Sequence, residues 1–187
     1  MKLEDEVEIV SVVLSIDFNL ELDLRHLYES LDAQDVEYNP EVNHWLKTRF
    51  GPEDTYVAFY QSGKAMIAGA DSVTEAEELA DRVVEETRKA VDSVDESNRR
   101  IENIVCTYSL DRRVSLEKLA VAIGFENMEY EPEQFPALVY RKEDYVILVF
   151  ASGKIVVTGL TDIDEIATAV ADFAACIQEI NINSDSY

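Results

Sequence analysis

Long apolar runs are missing from this chain of 187 residues. No stretch approaches the about 18 uninterrupted apolar residues that a membrane-spanning helix needs, and the opening MKLEDEVEIV carries neither the basic nor the apolar region of a signal peptide. A cytoplasmic protein is therefore expected. Cysteine is nearly absent: Cys106 and Cys176 belong to no CxxC pattern and cannot staple a domain of this size, so two buried free thiols are expected. His26 and His44 are too few and too isolated for a metal site. There is also no glycine-rich phosphate loop, no HExxH string, and no serine or cysteine nucleophile with a histidine nearby in sequence. No catalytic constellation and no cofactor are expected.

Positive charge is the remaining shortage. Lys and Arg number 16 against 39 Asp and Glu, a formal net charge of −23, which at first argues against a nucleic-acid partner. The acids are nevertheless spread along helix-like and loop segments rather than gathered in a tail, the pattern of a hydrated surface suited to a salty cytoplasm. At about 1 M salt the Debye length falls to about 3 Å, so remote carboxylates scarcely repel a bound phosphate and local cations decide.

What the chain does have is repetition. SGKAMIAG (Ser62 to Gly69) returns as SGKIVVTG (Ser152 to Gly159), 90 residues on, and YNPE (Tyr38 to Glu41) returns as YEPE (Tyr130 to Glu133), 92 residues on. The halves align with a two-residue length difference near Phe50 to Thr55, so the chain is a duplication with pseudo-twofold character. Repeat 1 is expected over residues 7–91, a junction over 92–100, repeat 2 over 101–180 and a disordered tail over 181–187. With 47% hydrophobic residues there is side chain enough for a core.

Each half opens on a β-branched run, Val7 to Asp17 and Ile101 to Leu110, that favours a strand. Short amphipathic helices follow at Leu22 to Leu31 and Ser115 to Ile123, with Ser115 suited to cap the second. Four short strands come next in each half. They are expected at Val36 to Asn39, Leu46 to Arg49, Tyr56 to Tyr60 and Lys64 to Ala70, and again at Met128 to Glu131, Leu138 to Lys142, Tyr145 to Phe150 and Lys154 to Leu160. Turn residues at Gly51-Pro52-Glu53-Asp54, Ser62-Gly63, Lys142-Glu143-Asp144 and Ser152-Gly153 make these strands a meander. Long amphipathic helices, Ser72 to Val91 and Asp162 to Ile180, close the halves with acidic starts that suit the helix dipole.

In the second half the strings NIVCTYSL, YEPEQFPALVYR and VFASGKIVVTG resemble the carboxyl-terminal repeat of archaeal and eukaryotic TATA-binding proteins, over nearly the whole half. The first half fits through YNPE and the QSGK hairpin. The resemblance implies an α+β saddle: two β-α-β-β-β-β-α repeats form a ten-stranded curved antiparallel sheet backed by four helices. It also implies a transcription initiation factor, not an enzyme, that sits in the minor groove of the TATA box, bends it with apolar wedges, and recruits transcription factor B and, indirectly, RNA polymerase. That mechanism belongs to the family; the residues decide how well this chain suits it. The acidity suggests a halophilic archaeal member.

On this resemblance Phe135 and Phe150 match the paired intercalating phenylalanines, with Tyr60 standing at the second position in repeat 1. A flat apolar ring can replace the stacking lost when a base step opens, at about a few kcal/mol per step. Asn103 and Thr158 match the groove-reading pair, and Val105, Leu148, Val156, Val13 and Met66 match the apolar underside. Short donors suit a groove in which A·T pairs show only acceptors. Arg49, Ser62, Lys64, Arg141, Ser152 and Lys154 match phosphate-facing positions, which set register without reading sequence. Glu131 and Glu133 match an acidic stirrup that meets transcription factor B.

Repeat 1 departs from the pattern. Asn43 stands where Phe135 stands, His44-Trp45 where Pro136-Ala137 stand, Ser11 replaces the asparagine and Ala68 the threonine. Trp45 is a candidate for a shifted wedge, although a one-residue slip would swap its face. Loss of one wedge implies a shallower bend and looser sequence preference on that side, and keeping only Glu41 of the stirrup implies one-sided partner binding. Three readings stay open: a promoter-binding initiation factor, a divergent paralogue serving mainly as a protein-interaction scaffold, and an enzyme or carrier reusing the fold. An apolar underside also favours a homodimer of the free protein.

Overall fold

The computed structural model describes residues 7–50, 55–92, 94, 98–124 and 128–179. The turn expected at 51–54 and the tail at 181–187 lie outside them. Elements run β1 (Glu8–Asp17), α1 (Leu24–Ser30), β2 (Gln34–Glu37), β3 (Trp45–Phe50), β4 (Thr55–Tyr60), β5 (Lys64–Ala70) and α2 (Val73–Ala90). They then repeat as β6 (Asn98–Ser109), α3 (Leu116–Ile123), β7 (Met128–Glu129), β8 (Ala137–Arg141), β9 (Val146–Phe150), β10 (Lys154–Thr158) and α4 (Ile163–Glu179). The ten strands follow the order β2-β3-β4-β5-β1-β6-β10-β9-β8-β7 in one sheet. This is the α+β class that the resemblance implies. Two compact units divide the chain, Val10–Glu102 and a second from Asn103 onward that also takes the first residues of β1.

Alternation builds each unit. In the first, Val12, Leu14 and Ile16 of β1, Leu46 of β3, Phe59 of β4 and Ile67 of β5 are buried on one face, and Ala76, Leu79, Ala80 and Val83 of α2 are buried as well. Period two in the strands and period 3.6 in the helix bring these stripes together. The second unit repeats the plan, with Ile104, Leu138, Ile147 and Ile155 buried in the strands and Ile166, Val170 and Phe173 in α4. Tyr140 of β8 lies 5.2 Å from Phe173, ring centre to ring centre. The opposite face of each unit, here the open face, carries half-buried and exposed side chains.

Capping chemistry trims the expected helices. Asp23 Oδ1 accepts from the amides of Arg25 and His26, so α1 starts at Leu24 rather than Leu22. Ser72 Oγ accepts from Glu75 and Ser115 Oγ from Lys118, placing both as caps outside α2 and α3. Asp162 Oδ1 likewise accepts from Asp164 and Glu165 ahead of α4. The strands differ too. β2 ends at Glu37 because the chain turns at Asn39, whose carbonyl accepts from Val42 and Asn43. β7 stops at Glu129 because the Glu131 carbonyl accepts in the same way from Gln134 and Phe135. β8 starts at Ala137, one residue earlier than expected, and β9 starts one later at Val146, after the turn in which the Lys142 amide donates to the Tyr145 carbonyl. β10 ends at Thr158, before Gly159 with φ +110°. β6 begins at Asn98, inside the segment expected to be a junction; Arg99 is held there by Glu77 at 3.2 Å and Asp81 at 2.6 Å on α2.

The duplicated SGK tips are held by the loop that follows each first strand. Gly63 O accepts from Phe18 and Gln61 O from Leu22; Gly153 O accepts from Leu110 and Ala151 O from Val114. Both glycines have φ near +90°, and a Cβ would fall 1.7 Å from the Leu20 carbonyl oxygen or 2.0 Å from that of Arg112.

Of the two thiols expected to be buried, Cys106 is, while Cys176 is partly exposed on α4, a correction to the paired expectation. Burial pushes the Cys106 thiol up to about 11. The folded state therefore holds this proton more tightly than the unfolded chain, and its contribution to stability is lost as pH climbs from the ordinary thiol range toward about 11. At neutral pH an alkylating reagent followed by mass spectrometry should label Cys176 and leave Cys106 unmodified. Equal labelling of the two in the native protein would contradict this packing. Among the described residues no helix is long and apolar enough to cross a membrane, and no group of three or more His, Cys, Asp or Glu side chains could hold a metal ion. His26 Nε2 donates to the Ala90 carbonyl at 3.0 Å, and His44 is exposed.

Candidate nucleic-acid interface

On the open face of the second unit, Asn103, Val105 and Thr107 of β6 lie beside Val156 and Thr158 of β10, followed by Leu148 and Phe150 of β9. All seven are half-buried. The Gly159 amide donates to Asn103 Oδ1 at 2.8 Å, which fixes the orientation of the side-chain amide. Asn103 Nδ2 then faces Thr158 Oγ1 at 3.0 Å. With the oxygen held by the backbone, one N–H of Asn103 stays available. The Thr158 hydroxyl, 3.2 Å from Asn103 Oδ1, donates to that oxygen here and can turn outward to a ligand while accepting from Nδ2. Two donors stand on an apolar floor.

The aromatic expectation also resolves into geometry. Ala137 pairs with Phe150 across β8 and β9, and the Phe135 ring, 43% exposed in the loop before β8, lies edge-on to Phe150 with centres 6.4 Å apart. Phe135 is the most exposed aromatic ring of this unit's open face, and burial alone does not account for it.

Cations mark the margins of the unit's open face. Ser152 and Lys154 are exposed at the β9–β10 hairpin beside Phe150, and Arg141 is exposed at the far end of β8, four residues or about 13 Å along the strand from Ala137. Arg141 Nε is bonded to Glu129 Oε1 at 3.1 Å, and this guanidinium holds the Glu129 carboxyl below the usual carboxylate range. The sequence reading missed Glu129 because its partner is chosen by the β7–β8 pairing. Glu131 and Glu133 are exposed in the turn between β7 and β8. Glu131 also accepts a side-chain hydrogen bond from Gln134.

In the first unit the same positions carry other chemistry. Val13, Met66 and Ala68 are half-buried on the open face, with Val13 opposite Ala68 and Ser15 opposite Met66. Ser11 and Ala68 supply no side-chain amide here. Ser15 Oγ donates to Glu102 Oε1 at 2.6 Å, and Arg100 bonds the same carboxylate. Chiefly through Arg100, and then Ser15, the Glu102 carboxyl is held below its ordinary range. Arg49, Ser62 and Lys64 are exposed at the margins, and Lys47, which the family pattern did not single out, is half-buried between them on β3. Tyr60 is half-buried, and its direct strand partner is Trp45. The turn bonds from Asn39 to Val42 and Asn43 repeat those from Glu131 to Gln134 and Phe135. Asn43 thus holds the same place in its turn as Phe135 does in the other.

Comparison with known proteins bears on the family and the fold. Residues 6–90 and 98–180 each match the family model described as transcription factor TFIID, or TATA-binding protein. TATA-box-binding protein C of Halobacterium salinarum is 39% identical over 184 residues, covering 93% of this chain and 98% of the relative. The TATA-box-binding protein of Picrophilus torridus is 34% identical, covering 95% and 97%, and TATA-box-binding protein 2 of Haloferax volcanii is 35% identical, covering 95% and 96%. Such relatives fit the halophile-like acidity. Among solved structures, Methanococcus jannaschii TBP superposes with a TM-score of 0.81 at 34% identity, covering 93% of this chain and 99% of that one. With two matched repeats, a shared fold and relatives alike over nearly their whole length, this chain belongs to the TATA-binding protein family, a family of DNA-binding transcription factors rather than enzymes.

Proposed function

We propose that this protein is a general transcription initiation factor of the archaeal cytoplasm that binds the TATA box through the minor groove and bends it. It then recruits transcription factor B and, through it, RNA polymerase. The observation that carries the reading is the Asn103–Thr158 pair, bonded at 3.0 Å and set among Val105, Leu148 and Val156. Two short donors suit the acceptors of A·T pairs, and the apolar neighbours offer nothing to the guanine amino group. Phe135 and Phe150 are the wedge at that end. Arg49, Ser62, Lys64, Arg141, Ser152 and Lys154 hold the backbone, and Glu131 and Glu133 offer carboxylates to a basic surface of transcription factor B. The apolar open face gives the free protein a homodimer contact.

A mobility-shift assay with TATA-containing duplex at molar salt, with and without transcription factor B, tests this. A shift that the factor strengthens is expected. No shift at any salt, together with a stable factor complex, would instead establish the scaffold reading, which the missing amide donor at Ser11 and Ala68 favours.

The Glu129–Arg141 pair yields a further expectation. Phosphate must displace a carboxylate from Arg141, so Glu129→Gln should tighten DNA binding about two- to fivefold, with a smaller gain as salt rises. Equal affinities of the two proteins at the lowest salt that keeps them folded would argue against Arg141 as a phosphate contact.

A further inference from the structure

We infer that Trp45 and Tyr60 together form the base-stacking wedge of the first repeat, a role that rests on the TATA-binding reading above and adds a residue to it. Leu46, Thr48 and Phe50 are buried on the helix-facing side of β3, so Trp45, Lys47 and Arg49 fall on the open face. Val57 and Phe59 are buried on the same helix-facing side of β4, which puts Tyr60 on the open face too. Trp45 and Tyr60 are direct strand partners, and direct partners project from one face with Cβ atoms about 5 Å apart. No slip of register is needed to bring Trp45 to the surface that Phe150 occupies in the other repeat.

The exchange between the repeats conserves an aromatic pair while moving one member. In the second unit Phe135, from the loop, reaches Phe150 and the intervening strand residue is the small Ala137, 1% exposed. In the first unit Asn43 takes the loop position and Trp45 takes that of Ala137, opposite Tyr60 as Ala137 is opposite Phe150. A large ring at position 45 and a small polar side chain at 43 are complementary changes. The ring shifts two residues along one face, about 7 Å, and stays in the row.

The chemistry of the two pairs differs in a way that bears on the ligand. Phe135 and Phe150 offer only ring faces and edges, whereas the indole N–H and the phenol hydroxyl are polar tips that need partners when water is excluded. Adenine N3 and thymine O2 are acceptors at the minor-groove edge of every A·T pair, so an A·T step can stack on the rings and accept from their tips. Lys47, next along β3 on the same face, and Lys64 beyond the hairpin supply positive charge beside the pair, in a chain otherwise short of it. The occupant is an A·T-rich duplex, opened at the step that faces this repeat. The weaker kink expected from losing a phenylalanine at position 43 is thereby restored.

Trp45 is the only tryptophan in the chain, so its emission reports the contact without a label. Titrating TATA-containing duplex into the full-length protein at molar salt should quench Trp45 at least about twofold as the ring stacks on a base. The midpoint should match that found from the anisotropy of a fluorescein-labelled duplex. Trp45→Ala should weaken binding about tenfold and lower the bend measured by energy transfer between the duplex ends, while Trp45→Phe should stay within about threefold of the parent. Saturable anisotropy with unchanged Trp45 emission, or a Trp45→Ala protein that binds and bends as the parent does, would overturn the inference and leave the TATA-binding reading intact. Absence of any duplex binding would overturn both. If Trp45→Ala fails to fold, the emission titration on the unaltered chain decides.

Discussion

Gly153→Ala should lower the stability of the protein by about 3–5 kcal/mol and its melting temperature by about 10 °C, read by circular dichroism at molar salt. Two costs add. At φ +92° an L side chain is strained, which accounts for about 1–2 kcal/mol. The new Cβ would also lie 2.0 Å from the Arg112 carbonyl oxygen, a backbone atom that cannot swing aside. Moving it breaks the bonds from Leu110 to Gly153 and from Val114 to Ala151 that tie the loop to the hairpin. Gly63→Ala should behave alike, since its Cβ would fall 1.7 Å from the Leu20 carbonyl oxygen. Gly69→Ala is the control: φ is +103° but no atom stands within 4 Å of the added carbon, so only the backbone cost of about 1–2 kcal/mol remains. Equal melting temperatures for the Gly69 and Gly153 variants would show that close approach is not what keeps glycine in both SGK tips.

Phe135→Ala is the counterpart on the functional side, with a large effect on binding and little on folding. Its ring is 43% exposed and touches Phe150 only by an edge at 6.4 Å, so little buried area is lost and the melting temperature should move by no more than about 3 °C. Stacking on a base contributes about 1–3 kcal/mol, so affinity for a TATA-containing duplex should fall about ten- to a hundredfold. Phe150→Ala should lose at least as much affinity, with a larger stability cost because this ring is half-buried against Ala137. Unchanged duplex affinity for both variants, with their folds intact, would remove the wedge from the proposed mechanism. A large loss of stability in Phe135→Ala would mean the ring serves packing instead.

Much of this architecture is written in local pattern. The amphipathic spacing in α2 and α4, the capping serines at 72 and 115, and the glycine turns at 63 and 153 each need only neighbours within a few residues, so they are legible in the chain. Their boundaries shifted by one to three residues wherever a side chain captured backbone groups, as Asp23 does ahead of α1. The duplication exposed the equivalence of Asn43 with Phe135, and the turns that carry them share the same backbone bonds, to the Asn39 and Glu131 carbonyls. The site was legible only where it coincides with strings such as EQFPALV and SGKIVVTG.

By itself, the sequence determined the twofold repeat, the order of strands and helices, the family, and the residue types available for a groove and a phosphate backbone. Tertiary structure alone decided which of those residues meet. Trp45 joins Tyr60 because β3 pairs with β4 in that register, Arg141 is claimed by Glu129 because β7 lies beside β8, and Asn103 presents a donor because the Gly159 amide occupies its oxygen. Each of these contacts joins residues 12 to 56 positions apart. Periodicity and propensity are properties of a few successive residues, whereas register and hydrogen-bond choice are set by strands paired across such distances.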